Sequence, residues 1–176
     1  MNCVSAGLLV PAPNSGEDYS MNHDAALRQH LVKVLESGEA HAEFEDAVNG
    51  FPEELRGKRP SGCPHSPWQL LEHMRITQWD ILEFTRDPEH KSPEFPEGYW
   101  PTDSEPPNAT VWDETVKSFL ADRRAFCELV ADESVDLFAK IPHGDGQTVL
   151  REALLIVDHN AYHLGQLLLL RRTFGA

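Results

Sequence analysis

The sequence predicts an all-α protein, a four-helix bundle. Four long segments repeat apolar residues at helical spacing, no segment alternates apolar and polar residues as a half-buried strand would, and the connecting stretches are polar and rich in proline or glycine. A chain of 176 residues with 40% hydrophobic side chains suits one domain with a full core. No internal repeat or second domain is visible.

The first twenty residues read as a flexible N-terminal extension without function, and the domain is expected over 21–176. Gly7-Leu8-Leu9-Val10 lacks a basic flank and is a poor signal peptide. Asn14 to Asp18 reads as loop, and Met21 opens the helical pattern. The first helical block is expected from Asp24, a good N-cap, to Asn49. Leu27, Leu31, Val34 and Leu35 form its first stripe, and Ala40, Phe44, Ala47 and Val48 resume it after a break at Ser37-Gly38. Gly50-Phe51-Pro52 ends the block.

Ser66-Pro67-Trp68-Gln69 predicts a second helix start, with serine as the cap, proline at the first position and glutamine three after the cap. That helix should run to about Arg86, ahead of Asp87-Pro88. It is apolar on two sides, as a central helix would be, and His73 lies beside one stripe. Between Asp87 and Asn108 stand Pro88, Pro93, Pro96, Pro101, Pro106 and Pro107, so no regular helix forms there. Phe95, Tyr99 and Trp100 mark that stretch as a loop packed onto the domain, of the kind that covers functional sites.

A third helix is expected from Thr110 to about Ala131, on the spacing of Trp112, Val116, Phe119, Leu120, Phe126 and Val130. Leu137 to Ile141 reads as extended and Pro142 to Gly146 as a turn. A fourth helix starts near Thr148 and ends at Arg171-Arg172, whose charges suit the helix dipole, with Gly175 as terminator. Its apolar face combines Val149, Ala153, Leu154, Val157, Ala161, Leu164, Leu167 and Leu168.

The formal charge of −14 argues against nucleic acid as a partner, since phosphate contacts need lysine and arginine. No apolar run reaches the roughly 18–20 residues of a membrane span. Cys3, Cys63 and Cys127 are odd in number and widely spaced, which predicts no disulfide framework and a cytoplasmic location. The expected partner is a small-molecule substrate.

The chemistry concentrates in Asp158-His159-Asn160-Ala161-Tyr162-His163-Leu164-Gly165-Gln166. A separation of four places two imidazoles about 40° apart on one helix face and about 6 Å apart along the axis. With His73 from the second helix, His159 and His163 can make an open three-histidine metal site. The competing reading is three partly buried histidines bonded to backbone or carboxylate. The residue after His159 is not glutamate, so the His-Glu-x-x-His protease pattern is absent. His41 stands on the inward side of the first block as an outer-layer base, a fourth ligand or a core residue, and His143 could reach the site mouth from its turn. Asp158, Asn160 and Glu72 are the alternatives for orienting imidazole N–H groups. Cys63 and His65 lie two apart in a proline-rich loop and are not expected to act as a pair.

The runs His65-Ser66-Pro67-Trp68-Gln69-Leu70-Leu71-Glu72-His73 and Asp158 to Gln166, with the Gly144-Asp145-Gly146-Gln147-Thr148 turn, resemble the DinB superfamily, specifically its DinB-like/YfiT-like proteins, over about Asp24 to Phe174. The resemblance implies a four-helix bundle with a divalent metal on His73, His159 and His163. It also implies a homodimer formed by helix packing. Some members of that family are transferases or isomerases dependent on a low-molecular-weight thiol, and others are metal-dependent hydrolases. Zn²⁺ or Ni²⁺ on neutral imidazoles keeps its full charge, so it can lower the pKa of bound water to about 7 or hold a thiol as thiolate. The first property gives a hydrolase, the second a thiol S-transferase acting on small electrophiles. A non-catalytic metal-binding stress protein would use the same site without turnover.

Overall fold

The computed structural model describes residues 16–37 and 39–176, with side chains from His23 onward. Five α-helices follow in order: α1 (Gly16–Glu36), α2 (Phe44–Val48), α3 (Pro67–Arg86), α4 (Val111–Ala131) and α5 (Val149–Phe174). The four long ones form the expected bundle, in which α3 packs against both α4 and α5 while α1 lies across the same two helices. Among the described residues the one extended pairing is an isolated bridge between Lys140 and Thr148, which brings the segment before α5 back against its start.

Two apolar layers hold the bundle. One gathers Phe44, Phe51, Trp68, Leu71, Trp112, Phe119 and Leu167. The other gathers Leu31, Leu82, Phe126, Val130, Leu137 and Ile156. Between α3, α4 and α5 sits Gln78, 1% exposed. Its amide donates to the Phe119 carbonyl at 2.7 Å, and its oxygen accepts from Asn160 Nδ2 at 2.9 Å. A buried amide is tolerated because both its ends are bonded.

The helix ends follow the sequence closely on α3 and α5. Ser66 Oγ accepts from the Gln69 amide and Gln69 Oε1 accepts from the Ser66 amide, both at 3.2 Å, a closed capping box. Thr148 Oγ1 accepts from the Arg151 amide at 3.1 Å, and Gly175 ends α5 in the left-handed region at φ 73°.

The first block departs from expectation. Asp24 does not cap a helix; α1 already begins at Gly16, so the Gly16 to Asp18 stretch read as loop is helical. Asp24 instead accepts from Arg28 Nε one turn on, at 2.6 Å. Arg28 is buried and donates to the carbonyls of Val130, Asp132 and Val135 at 2.8, 2.9 and 2.7 Å. One guanidinium thus satisfies the open carbonyls at the C-terminus of α4 and fixes α1 against it. Residues 1–15 of the expected extension, Cys3 among them, and Gly38 of the expected break lie outside the described residues. The block itself is divided: α1 ends at Glu36 and α2 is a separate short helix. Leu154, placed on the inner face by its spacing, is 54% exposed, and Ile156 is buried in its stead.

Replacing Ser66 by alanine should lower the unfolding free energy by about 1–2 kcal/mol in urea denaturation. Its hydroxyl also donates to the Ser104 carbonyl, so the loss should exceed that of Thr148→Ala, whose hydroxyl makes the cap bond alone.

Candidate metal centre

His73 lies in the second turn of α3, beside Met74 of the core, and so points into the bundle. His159 and His163 lie one turn apart on α5, and α3 packs directly on α5. The three side chains meet: one nitrogen from each lies within 4.8 Å of the other two. His73 and His163 are buried, and His159 is half-buried. His73 Nε2 and His159 Nε2 face each other at 3.0 Å.

The outward nitrogens are committed elsewhere. His73 Nδ1 donates to the Tyr99 carbonyl at 2.8 Å, and His163 Nδ1 donates to Gln166 Oε1 at 2.8 Å. A neutral imidazole that donates from Nδ1 presents a lone pair at Nε2. His73 and His163 therefore each present a lone pair at Nε2, and His159 does so when its proton sits on Nδ1. Zn–N bonds near 2.0–2.1 Å in a tetrahedron set ligand nitrogens about 3.3 Å apart, a separation this cluster reaches with small ring movements. The residues present fit a divalent cation.

Trp100 covers this site. Its ring lies flat on His73, with centroids 3.7 Å apart and planes within 6°, and on its other side His65 stacks at 3.9 Å and 14°. Its edge also meets His163, at 5.9 Å. The proline-rich loop is thus the expected cover. Trp100 and His65 join the cluster by ring stacking, although neither is among the expected site residues. The signal for Trp100 was an aromatic residue in a loop already marked as a cover. Nothing in the sequence connects His65 to it. Gln166, three residues after His163, was legible from helical spacing.

The other expected site residues fall elsewhere. His143 Nε2 bonds the Phe84 carbonyl at 2.6 Å. Phe84 is eleven residues beyond His73 on α3, about 16 Å along the axis, so His143 is far from the site mouth. His41 is exposed between α1 and α2, its ring against its neighbour's carbonyl, and faces no histidine of the cluster. Asp158 is exposed on the outer side of α5. Glu72 is taken by Arg75, at 2.9 and 2.6 Å, and by Thr115. Asn160 adjoins His159 and donates to Gln78. Of the three alternatives only Asn160 thus meets the cluster, through a side-chain hydrogen bond to His159, while His73 and His163 are oriented by a carbonyl and an amide oxygen.

Burial pushes His73 down to about 4 despite the opposing Tyr99 bond, and the nearby His163 and His65 add to the fall. Burial also pushes His159 down to about 4, with His163 and His73 adding to it. His163 is lowered by the same burial, partly offset by Gln166. All three are neutral at pH 7 and need lose no proton to act as ligands.

These shifts fix a pH dependence. Between the ordinary value of 6.5 and about 4, the unfolded chain binds protons that folded His73 and His159 refuse. Their contribution to stability is complete above 6.5 and is lost as pH falls toward about 4. Chelator-treated protein should accordingly lose more stability between pH 7 and pH 5 than its His159→Gln variant, as read from urea midpoints. Equal losses would show that His159 does not titrate this way.

No curated protein and no solved structure matches the chain. A family model does, that of the DinB superfamily, over residues 38–167. The match takes in α2 through most of α5 and all three clustered histidines. This chain belongs to the DinB superfamily.

Proposed function

We propose that the protein is a divalent-metal enzyme whose ion, Zn²⁺ or Ni²⁺, is held by His73, His159 and His163, and that it joins a low-molecular-weight thiol to a small electrophile. The observation that carries this reading is the inward-facing trio of neutral imidazoles, with Nδ1 of both His73 and His163 already bonded to oxygen. Imidazole suits both metals. When bound, such a cation supplies undiminished positive charge next to which a thiol ionises.

The chain's own groups do the rest. The Tyr99 carbonyl and Gln166 orient two rings, and Trp100 shields one face of His73 from water. No carboxylate joins the cluster among the described residues, which favours thiol transfer over a hydrolysis needing a general base beside the ion. Cys127 is buried in the core and its thiol is pushed up to about 11 by that burial, so it is not the attacking sulfur; in this reading that sulfur belongs to a cosubstrate. With an epoxide, the sulfur–carbon bond forms as the ring carbon–oxygen bond breaks, and the thiol's proton ends on the opened oxygen. A cavity of about 140 Å³ beside Gln166 and His65, walled largely by Leu70, Leu169 and Leu170, suits a small apolar substrate group.

Leu154, Tyr162 and Leu169 stand 54%, 64% and 62% exposed on the outer side of α5, and burying these three large side chains, which flank the exposed Asp158, supports pairing of two chains. Sedimentation velocity should find a dimer that Leu154→Glu with Leu169→Glu converts to monomer.

Protein purified without chelator should carry about one divalent ion per chain, and His159→Ala should lose most of it while staying helical by circular dichroism. Metal-loaded protein should conjugate one of bacillithiol, mycothiol, glutathione or coenzyme A to an epoxide or alkyl halide. His73→Ala should lower that kcat/KM at least about 100-fold, beyond the loss typical of an outer-layer partner. Inertness toward every thiol combined with ester or amide hydrolysis would replace the transferase by a hydrolase. Inertness in both assays would leave a metal-binding protein.

A further inference from the structure

We infer that Asp80 is a positioning residue for the metal centre, acting on His73 through Tyr99. The inference rests on the reading of His73 as a ligand. Asp80 lies seven residues beyond His73 on α3, two turns or about 10 Å along the axis. It is 7% exposed, so its carboxylate needs partners, and both of its oxygens have them. Oδ1 accepts from His90 Nε2 at 2.8 Å, and Oδ2 accepts from the Tyr99 hydroxyl at 2.6 Å. Both donors come from the proline-rich loop.

One carboxylate therefore pins that loop at two points, closing residues 90–99 into a strap across α3. Pro93 and Pro96 limit the strap's backbone freedom. Trp79 meets the His90 ring edge-on, with centroids 5.1 Å apart, and helps seat that end. Tyr99 then does two things. Its hydroxyl is held by Asp80, while its carbonyl accepts from His73 Nδ1 at 2.8 Å. The next residue, Trp100, lies flat on the same imidazole. The tautomer and the plane of His73 are thus set by a segment whose anchor is Asp80. Burial and the Asp80 bond push the Tyr99 hydroxyl up to about 12, so it remains a donor throughout the working pH range.

The decisive variant is Tyr99→Phe, which removes the hydroxyl but keeps the ring and the backbone carbonyl. In metal-free wild-type protein, ring ¹⁵N shifts should report His73 as the Nδ1–H tautomer; in Tyr99→Phe they should move toward a mixture. Zn²⁺ affinity, measured by competition with a chromophoric chelator, should weaken about tenfold in Tyr99→Phe and at least as much in Asp80→Ala. Asp80→Asn keeps an acceptor oxygen for Tyr99 and should recover most of the loss. His41→Ala, at the exposed α1–α2 connection, should stay within about twofold of wild type. An unchanged His73 tautomer together with unchanged affinity in Tyr99→Phe would overturn the inference. Wild-type protein that binds no Zn²⁺ would overturn the metal reading instead, and the tautomer would still decide whether the strap orients His73.

Discussion

Two imidazole nitrogens 3.0 Å apart in a buried setting have either a hydrogen on one of them or a cation between them, because two lone pairs at that distance repel. An added proton would have to be held against the desolvation that keeps His73 and His159 neutral at pH 7, so without a cation the hydrogen between them is His159's own, on Nε2. His73 does not supply it, since its ring cannot shift its proton to Nε2 without losing the Tyr99 bond. A cation takes the place of that N–H once the His159 proton moves to Nδ1, and both Nε2 lone pairs then face the ion. A divalent cation satisfies the arrangement, and the loop, the ring stack and the α3–α5 contact all serve to hold it in that condition.

The bundle is legible in the sequence because its signals are local. Ser66 and Gln69 form a capping box at sequence separation three, and the stripes of α3, α4 and α5 repeat at helical spacing. The pair His159 and His163 is legible for the same reason. Their meeting with His73 is less so, because spacing says which face of a helix a residue occupies and not which face it meets. The residues alone leave that meeting open against three separately bonded histidines, and the family resemblance implies it.

What the sequence hides is long-range and mostly polar. Arg28 reaches the end of α4 across more than a hundred residues. Asp80 is unremarkable in sequence, an acidic residue in a charged helix, and Tyr99 marks a packed loop without showing what its carbonyl meets. His41 and His143 carry the right chemistry, but one lies exposed beside α2 and the other beside the far end of α3. Residue type alone therefore over-selects histidines and under-selects the carbonyls and amides that orient them. Backbone oxygens such as that of Tyr99 leave no trace in a side-chain alphabet.

The polar layer has a structural consequence of its own. Three desolvated histidines and the buried Gln78 lie between two apolar layers, and an apolar replacement would pack there without the cost of burying polar groups. The fold tolerates them because its cohesion resides above and below, in Phe51, Trp112 and Phe119 on one side and Phe126, Val130 and Ile156 on the other. Fold and site are in this way partly separable. The loop joins them, since its strap rests on a buried α3 carboxylate while its tip lies on His73. A change at the strap should therefore be felt at the metal before it is felt in the bundle, because the apolar layers that keep the helices together do not pass through it.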